Sequence, residues 1–588
     1  MLPQPLEQIT FFRLSLLSEM NENLNMKKSH LLIFTLLLLV VTPNTGSTCT
    51  NLLITNGASK DGSVMVTYSA DSHQLYGELY FTKGANFAPG TMMKIYEWDS
   101  GKYLGDIPQA LKTYNTVGNM NENQVIITET TFGGLEQLID STARMDYGSL
   151  IYVTLQRART AREAIKIMAD FVKEHGYCSA GESFSVADKN EAWILEMTGK
   201  GVKMVNGKNV NKGAVWVAVR IPDGYISAHA NHARITQFPL NDPENCLYAP
   251  DVISYAKENG LYKGADKDFS YSDVYAPLDF GSMRGCEARV WAAFNILGGG
   301  MIGDKPYTDY LDYAMGYNAK NRLPLYIKPK EKVTVKMVAD VMRDHYDGTA
   351  LDMTKDIGAG GHALPYRWRP MTFKVDDKSY TNERAIATQQ TGFWLLGQAR
   401  SWLPDEIGGI FWFGVDDAAT SALTPIYSSS VRVPECFRVG NGDMLTYSPT
   451  SAFWIFNRVT NFAYLRYDVL APEIRKVGDN HEIKAIERTA AIDAAAMMLY
   501  KESPAKAREF LTDYSVNTAQ ELFDKWVNLD RYLLVKYIDG NIKNQDADGC
   551  FLNNGFSKSI PAFPKQPGYS EEWKRAVKEN AGEKLIVK

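Results

Sequence analysis

Cys49 stands at the boundary between two stretches of unlike chemistry. Upstream, Met26-Lys27-Lys28 supplies a short positive region, and Leu31 to Val41 is an apolar run interrupted only by Thr35. Pro43, Asn44 and Gly46 then break any helix. The small residues Gly46, Ser47 and Thr48 complete the pattern of a secretory signal over residues 26–48 with its cleavage region. The apolar run is too short to span a bilayer, which takes roughly 20 residues. Residues 1–25 carry no export-like feature, so Met26 is the expected start and 1–25 a spurious extension. Cutting after Thr48 leaves Cys49 as the first residue, with a nucleophile and an α-amine together. An α-amine titrates at about 7.7 to 8 and a cysteine thiol at about 8.5, so the amine can take the proton of its own side chain. Two plainer readings compete: Cys49 as the first core residue, or as a lipid-attachment site. Lipid-attachment sites usually carry Leu three residues before the cysteine and Gly or Ala just before it; here Gly46 and Thr48 stand there.

The segment after Cys49 reads as strand, turn, strand. Leu52-Leu53-Ile54 precedes Asn56-Gly57, and Lys60-Asp61-Gly62 makes a second turn before Val64-Met65-Val66. This hairpin carries Asp71 back towards the start of the chain. With its cysteine, it resembles the opening of the C69 (formerly U34) dipeptidases, N-terminal-nucleophile cysteine hydrolases related to bile-salt (choloylglycine) hydrolases and penicillin V acylase. The resemblance continues through the later segments and covers nearly all of 49–588. It implies a four-layer αββα sandwich.

Within that resemblance, individual positions take on expected roles. Asn231, in Ile226-Ser-Ala-His-Ala-Asn-His-Ala-Arg-Ile235, matches the family asparagine whose side-chain amide helps bind the oxyanion. Thr131 ends the β-branched strand Val125 to Thr130 at the position that lines the oxyanion pocket in relatives. Arg289, in Met283-Arg-Gly-Cys-Glu-Ala-Arg-Val-Trp-Ala-Ala-Phe294, matches an arginine placed beside the nucleophile, where it would favour the thiolate and orient Asp71. Asp71 would hold the α-amine. One position departs from the pattern: bile-salt hydrolases and many dipeptidase relatives carry an arginine three residues before the aspartate, and Tyr68 stands there. A second cationic group is therefore missing or supplied from elsewhere.

Other patterns bound the alternatives. Removing residues 1–48 leaves 540 of 588 residues, enough for one large domain or two ordinary ones. The net charge of −5 offers no footprint for nucleic acid. The six cysteines form no C-x-x-C pair; with Cys49 as nucleophile at most two disulfides can form. His229 and His232 lack an H-E-x-x-H context and make a poor metal site. Gly298 to Lys305 resembles a phosphate loop, but Asp304 stands where Lys is required. Asp416-Asp417 is no glycosidase pair, because neighbours on a strand face opposite ways. No cofactor and no metal are expected.

Strands are expected at Gly77 to Thr82, in a hairpin of Ser183–Ala187 with Ala192–Met197, in a pair of Val215–Val219 with Tyr225–Ser227, and in paired runs within 387–417. An amphipathic helix is expected over Arg157 to Gly176, with Thr160 as N-cap, and helices over Glu482–Lys501 and Pro504–Tyr537. Helix beside many antiparallel strands is the α+β class. The expected organisation is a catalytic domain over 49–470 and a helical C-terminal extension over 471–588 packed on it. The function implied is an exported (periplasmic or secreted) cysteine-type dipeptidase acting on small peptides. Its alternatives are an N-acyl amidase with the same nucleophile and, from another class, a lipid-anchored binding protein. Neither nucleic acid nor a membrane span is expected, and a homo-oligomer is left open.

Overall fold

Runs such as Leu52-Leu53-Ile54, Phe393-Trp-Leu-Leu396 and Ile410-Phe-Trp-Phe413 are apolar at every position, so both faces of each strand must be covered. The computed structural model, which describes residues 48–552 and 562–588, meets that demand with two antiparallel sheets. The extension 1–25 and the signal, up to residue 47, lie outside the described residues. In chain order the strands of the two sheets begin with β1 (Asn51–Ile54), β2 (Val64–Asp71), β3 (Phe81–Thr82), β4 (Thr116–Val117), β5 (Met120–Asn121) and β6 (Ile126–Gly133). There follow β7 (Gly181–Ala187), β8 (Ala192–Gly199), β9 (Ala214–Arg220), β10 (Ile226–His229) and β11 (Cys246–Tyr248). Last come β12 (Tyr326–Ile327), β13 (Thr391–Ala399), β14 (Gly409–Val415) and β15 (Thr424–Tyr427). The seven-stranded sheet runs β12-β10-β1-β2-β13-β14-β15; the eight-stranded sheet runs β11-β9-β8-β7-β6-β5-β4-β3.

Side chains alternate across these strands and sort into three apolar clusters. Val64, Val66, Leu395, Phe411 and Phe413 of one sheet join Ile126, Ile194, Val215 and Val217 of the other in a common core. The intervening Met65, Trp394, Leu396, Ile410 and Trp412 join a second cluster with α3 (Ala288–Gly298). Val125, Ile127, Trp193, Leu195 and Met197 join a third with α1 (Tyr147–Leu155) and α2 (Ala161–His175). The sheets approach closely where they meet: a Cβ on Gly397 would come within 2.9 Å of the Ile126 side chain.

The mixed helix and sheet content is that of the α+β class. α2 is shorter at its start than expected, because Thr160 caps it: its Oγ1 accepts from Glu163 N at 3.1 Å. Gly176 ends it at φ 79°, a conformation glycine adopts without steric cost. The expected strand at Gly77 to Thr82 is reduced to the two residues of β3. β9 and β10 do not pair with each other. β9 pairs with β8 and β11, whereas β10 pairs with β1 and β12, so Pro222-Asp-Gly224 carries the chain from one sheet to the other.

Helix α4 (Ala452–Tyr464) is followed by α5 (Tyr467–Glu502) and α6 (Pro504–Tyr537). Trp526 of α6 stacks on Phe456 of α4, with ring centres 4.3 Å apart and planes 4° from parallel. Arg400, at the end of β13, makes a two-pronged ion pair with Asp493 of α5, and the Tyr427 hydroxyl donates to the same carboxylate at 2.8 Å. Leu522, Trp526 and Leu533 belong to the core cluster that contains Cys49.

Candidate active site

Strand register brings the site together. β1 pairs with β10 so that Asn51 faces His229 and Leu52 faces Ala228. Continuing that antiparallel count past the strand end sets Cys49 opposite Asn231. Cys49 N indeed donates to Asn231 Oδ1 at 2.8 Å. On its other edge β1 pairs with β2, Leu53 facing Val66 and Thr50 bridging Ser69. The same count sets Thr48 opposite Asp71, and Thr48 N donates to Asp71 O at 2.8 Å. Cys49 is completely buried.

Asn231 sits just beyond β10 at φ 58°, a left-handed conformation that asparagine tolerates better than most residues. Its Oδ1 accepts from Arg289 Nη2 at 2.9 Å as well as from Cys49 N, and its Nδ2 donates to Thr131 O at 2.8 Å. Thr131 therefore meets Asn231 through its backbone carbonyl, while its hydroxyl donates to Glu182 at 3.1 Å.

Arg289 enters from the first turn of α3, which a π-helical turn over Ser282–Glu287 introduces. Its guanidinium is fully buried and donates to Cys49 O at 2.6 Å, Thr50 Oγ1 at 2.9 Å and Ala230 O at 3.2 Å. These bonds fix the backbone on either side of the sulfur and do not run to the sulfur itself. The thiol that Arg289 adjoins is Cys286.

The arginine contact with Asp71, expected from Arg289, comes from Arg384. Its Nη2 donates to Asp71 Oδ2 at 2.6 Å and to Thr48 O and Oγ1, each at 3.2 Å. Thr391 Oγ1 donates to Asp71 Oδ1 at 2.6 Å, and Gln390 Nε2 donates to Thr48 Oγ1 at 2.7 Å. Asp71 thus belongs to the wall that grips Thr48, whereas the nitrogen of Cys49 meets Asn231. The second cation absent at Tyr68 is placed near the site by residue 384, far away in the sequence.

Tyr68 and Glu129 face the sulfur. Cys49 Sγ lies 3.6 Å from the Tyr68 hydroxyl and 3.7 Å from Glu129 Oε1, and that hydroxyl donates to Glu129 Oε1 at 2.5 Å. Burial, and after it the negative charges of Glu129 and Asp71, push the Cys49 thiol well above its ordinary range. Burial also raises Glu129, and burial with the adjoining Glu129 raises Glu182 strongly, so burial favours the neutral form of both carboxyls. Tyr68 and Glu129 also line a cavity of about 380 Å³, together with Tyr80, Trp98, Tyr147 and Phe393. A second cavity of about 420 Å³ lies on the Thr48 side, with Gln390, Thr391 and Arg369 in its wall.

Sequence reasoning missed Glu129, Glu182, Arg384 and Gln390. A signal existed for Glu129: it is the one charged residue within the otherwise uncharged strand Val125 to Thr131. His229 takes up a structural position, whereas His232 lines a different cavity. His229 is buried with its ring nitrogens 2.7 Å from Thr130 Oγ1 and 2.7 Å from Ser185 Oγ, and burial lowers its pKa to about 3. None of the six cysteines is in a disulfide. Among the described residues no cluster of His, Cys, Asp and Glu could hold a metal, and no helix is long and apolar enough to cross a membrane.

Comparison with known proteins finds a family and several curated relatives. The model of "Peptidase family C69" matches residues 48–480. A "Probable dipeptidase" of Salmonella dublin is 24% identical over 405 residues, covering 64% of this chain and 80% of that protein. A "Probable dipeptidase" of Latilactobacillus sakei is 22% identical over 489 residues, covering 79% and 90%. A "Probable dipeptidase B" of Lactococcus lactis subsp. lactis is 22% identical over 464 residues, covering 74% and 86%.

Proposed function

This chain belongs to peptidase family C69, and on that footing we propose that it is an exported cysteine-type dipeptidase that matures by loss of residues 1–48. The observation that carries the reading is the position of Cys49. Its nitrogen lies 2.8 Å from Asn231 Oδ1 and its sulfur faces a cavity wall, so removal of Thr48 would leave amine and thiol side by side at a formed site. The names of the relatives support peptide bonds as the target. The two sheets and the apolar clusters on their outer faces support the N-terminal-nucleophile sandwich as the fold.

In the proposed reaction the Cys49 α-amine takes the thiol proton as sulfur attacks the scissile carbonyl. A raised thiol pKa suits this order, because the sulfur stays protonated until the amine removes the proton during attack. The Asn231 side-chain amide stabilises the oxygen that becomes negative. Arg289 acts through Asn231 and the Cys49 carbonyl, holding both in place. The amine returns the proton to the leaving nitrogen, and water then releases the acyl group from sulfur. Arg384, Gln390 and Asp71 hold the Thr48 side of the junction before maturation.

Replacement of the nucleophile tests this. A folded Cys49→Ala protein turns over no dipeptide above background, whereas the parent protein does. Activity retained in that variant would move the nucleophile to another thiol, with Cys286 first to be examined.

A further inference from the structure

We propose that the cavity beside Cys49 is the subsite for the N-terminal residue of a peptide, with Glu129 receiving its α-ammonium group; this rests on the peptidase reading above. Three observations lead to it. The first is charge. Glu129 is buried to within 2% exposure, and its Oε2 meets no hydrogen-bond donor. Neither Lys, Arg nor His is among the described residues that line the cavity, so an ionised Glu129 has no cation in the cavity wall. A buried carboxylate is costly unless a cation or donors offset it, and a ligand ammonium would supply that partner.

The second observation is distance. In an amino acid the α-nitrogen lies about 2.5 Å from the carbonyl carbon, as ordinary bond lengths and angles require. Glu129 Oε1 is 3.7 Å from the attacking sulfur. When that sulfur meets a carbonyl carbon, the attached ammonium falls within reach of the same carboxylate.

The third is the wall. Tyr80, Trp98, Tyr147, Tyr152 and Phe393 give the cavity an aromatic lining, and Tyr80 and Trp98 meet edge to face at 4.8 Å. Such a wall suits an apolar or aromatic side chain on the N-terminal residue. An N-acyl substrate has no ammonium to offer and leaves Glu129 without a cation. The same cavity therefore favours free dipeptides over the amidase alternative.

The test compares Phe-Ala with its des-amino analogue 3-phenylpropanoyl-Ala, using the mature wild-type protein and Glu129→Gln. Wild type should prefer Phe-Ala by about 10²-fold or more in kcat/KM, because a site that loses a buried partner discriminates strongly. E129Q should bring the two substrates within about 10-fold, with Phe-Ala losing through KM and Cys49 still alkylated. For wild type the KM of Phe-Ala should rise above about pH 8, where its amine loses its proton, and that of the analogue should not. The wild-type ratio and pH profile stand without the variant, should E129Q not fold. Equal turnover of both substrates by wild type, or an unchanged ratio in folded E129Q, overturns the subsite alone. Turnover of neither by wild type overturns the peptidase reading, and the subsite with it.

Discussion

Asn231 joins three parts of the site: it accepts from Cys49 N and Arg289 and donates to the Thr131 carbonyl. Asn231→Ala should therefore lower kcat by about 10² to 10³, the usual loss for one oxyanion donor, with a smaller change in KM. Steady-state kinetics on a dipeptide check this, and an unchanged kcat would remove Asn231 from the reaction. At this scale five members of the candidate site were named from the sequence. Cys49 followed from the cleavage pattern, and Asn231, Thr131, Arg289 and Asp71 from motif resemblance. Their partners were less legible. Arg384 approaches Asp71 across 313 positions of sequence, and only the pairing of β2 with β13 brings that region to the site. Tyr68 was visible as a departure from the family pattern, but its hydrogen bond to Glu129 depends on the two sheets facing each other.

Elements were legible where pattern and length agreed and illegible where partner choice decided. The runs in β1, β2, β13 and β14 announced doubly covered strands, and the hairpin of β7 and β8 formed as expected. Pro222-Asp-Gly224 looks the same in a hairpin turn and in a crossover, so the separation of β9 from β10 had no local signature. The turn after β14 holds Asp416, which the sequence reading assigned to a turn or structural use without its titration. Asp416 lies just past the strand at φ 67°, with Oδ1 accepting from Asn457 Nδ2 of α4 at 2.9 Å and Oδ2 without a donor. Burial raises its pKa to about 7, against about 3.9 for an unfolded aspartate. The folded state thus holds this proton more tightly than the unfolded one. The resulting stability is full below about pH 4 and is lost as pH rises through about 7. Asp416→Asn keeps the shape and tolerates the left-handed backbone. Its Tm should fall less than that of the parent between pH 5 and pH 8 by differential scanning calorimetry. An identical slope in both proteins would show that Asp416 does not titrate in this range.

Across the whole molecule, the two sheets are held to their helical cover by contacts that join distant parts of the chain. The Arg400–Asp493 pair and the Phe456–Trp526 stack tie α5 and α6 to the strands and to α4, so the long C-terminal helices share the core of the site-bearing sheets. Helical periodicity revealed those helices; which sheet they cover depends on tertiary partners that periodicity does not specify. The proposed reaction turns on the amine of Cys49, since an amide nitrogen in its place cannot serve as the base. The most direct measurement compares dipeptide hydrolysis by protein beginning at Cys49 with hydrolysis by protein still carrying Thr48, intact mass verifying each N-terminus throughout the assay. Turnover is expected from the first and none above background from the second. Equal turnover with Thr48 still attached would contradict the proposed reaction.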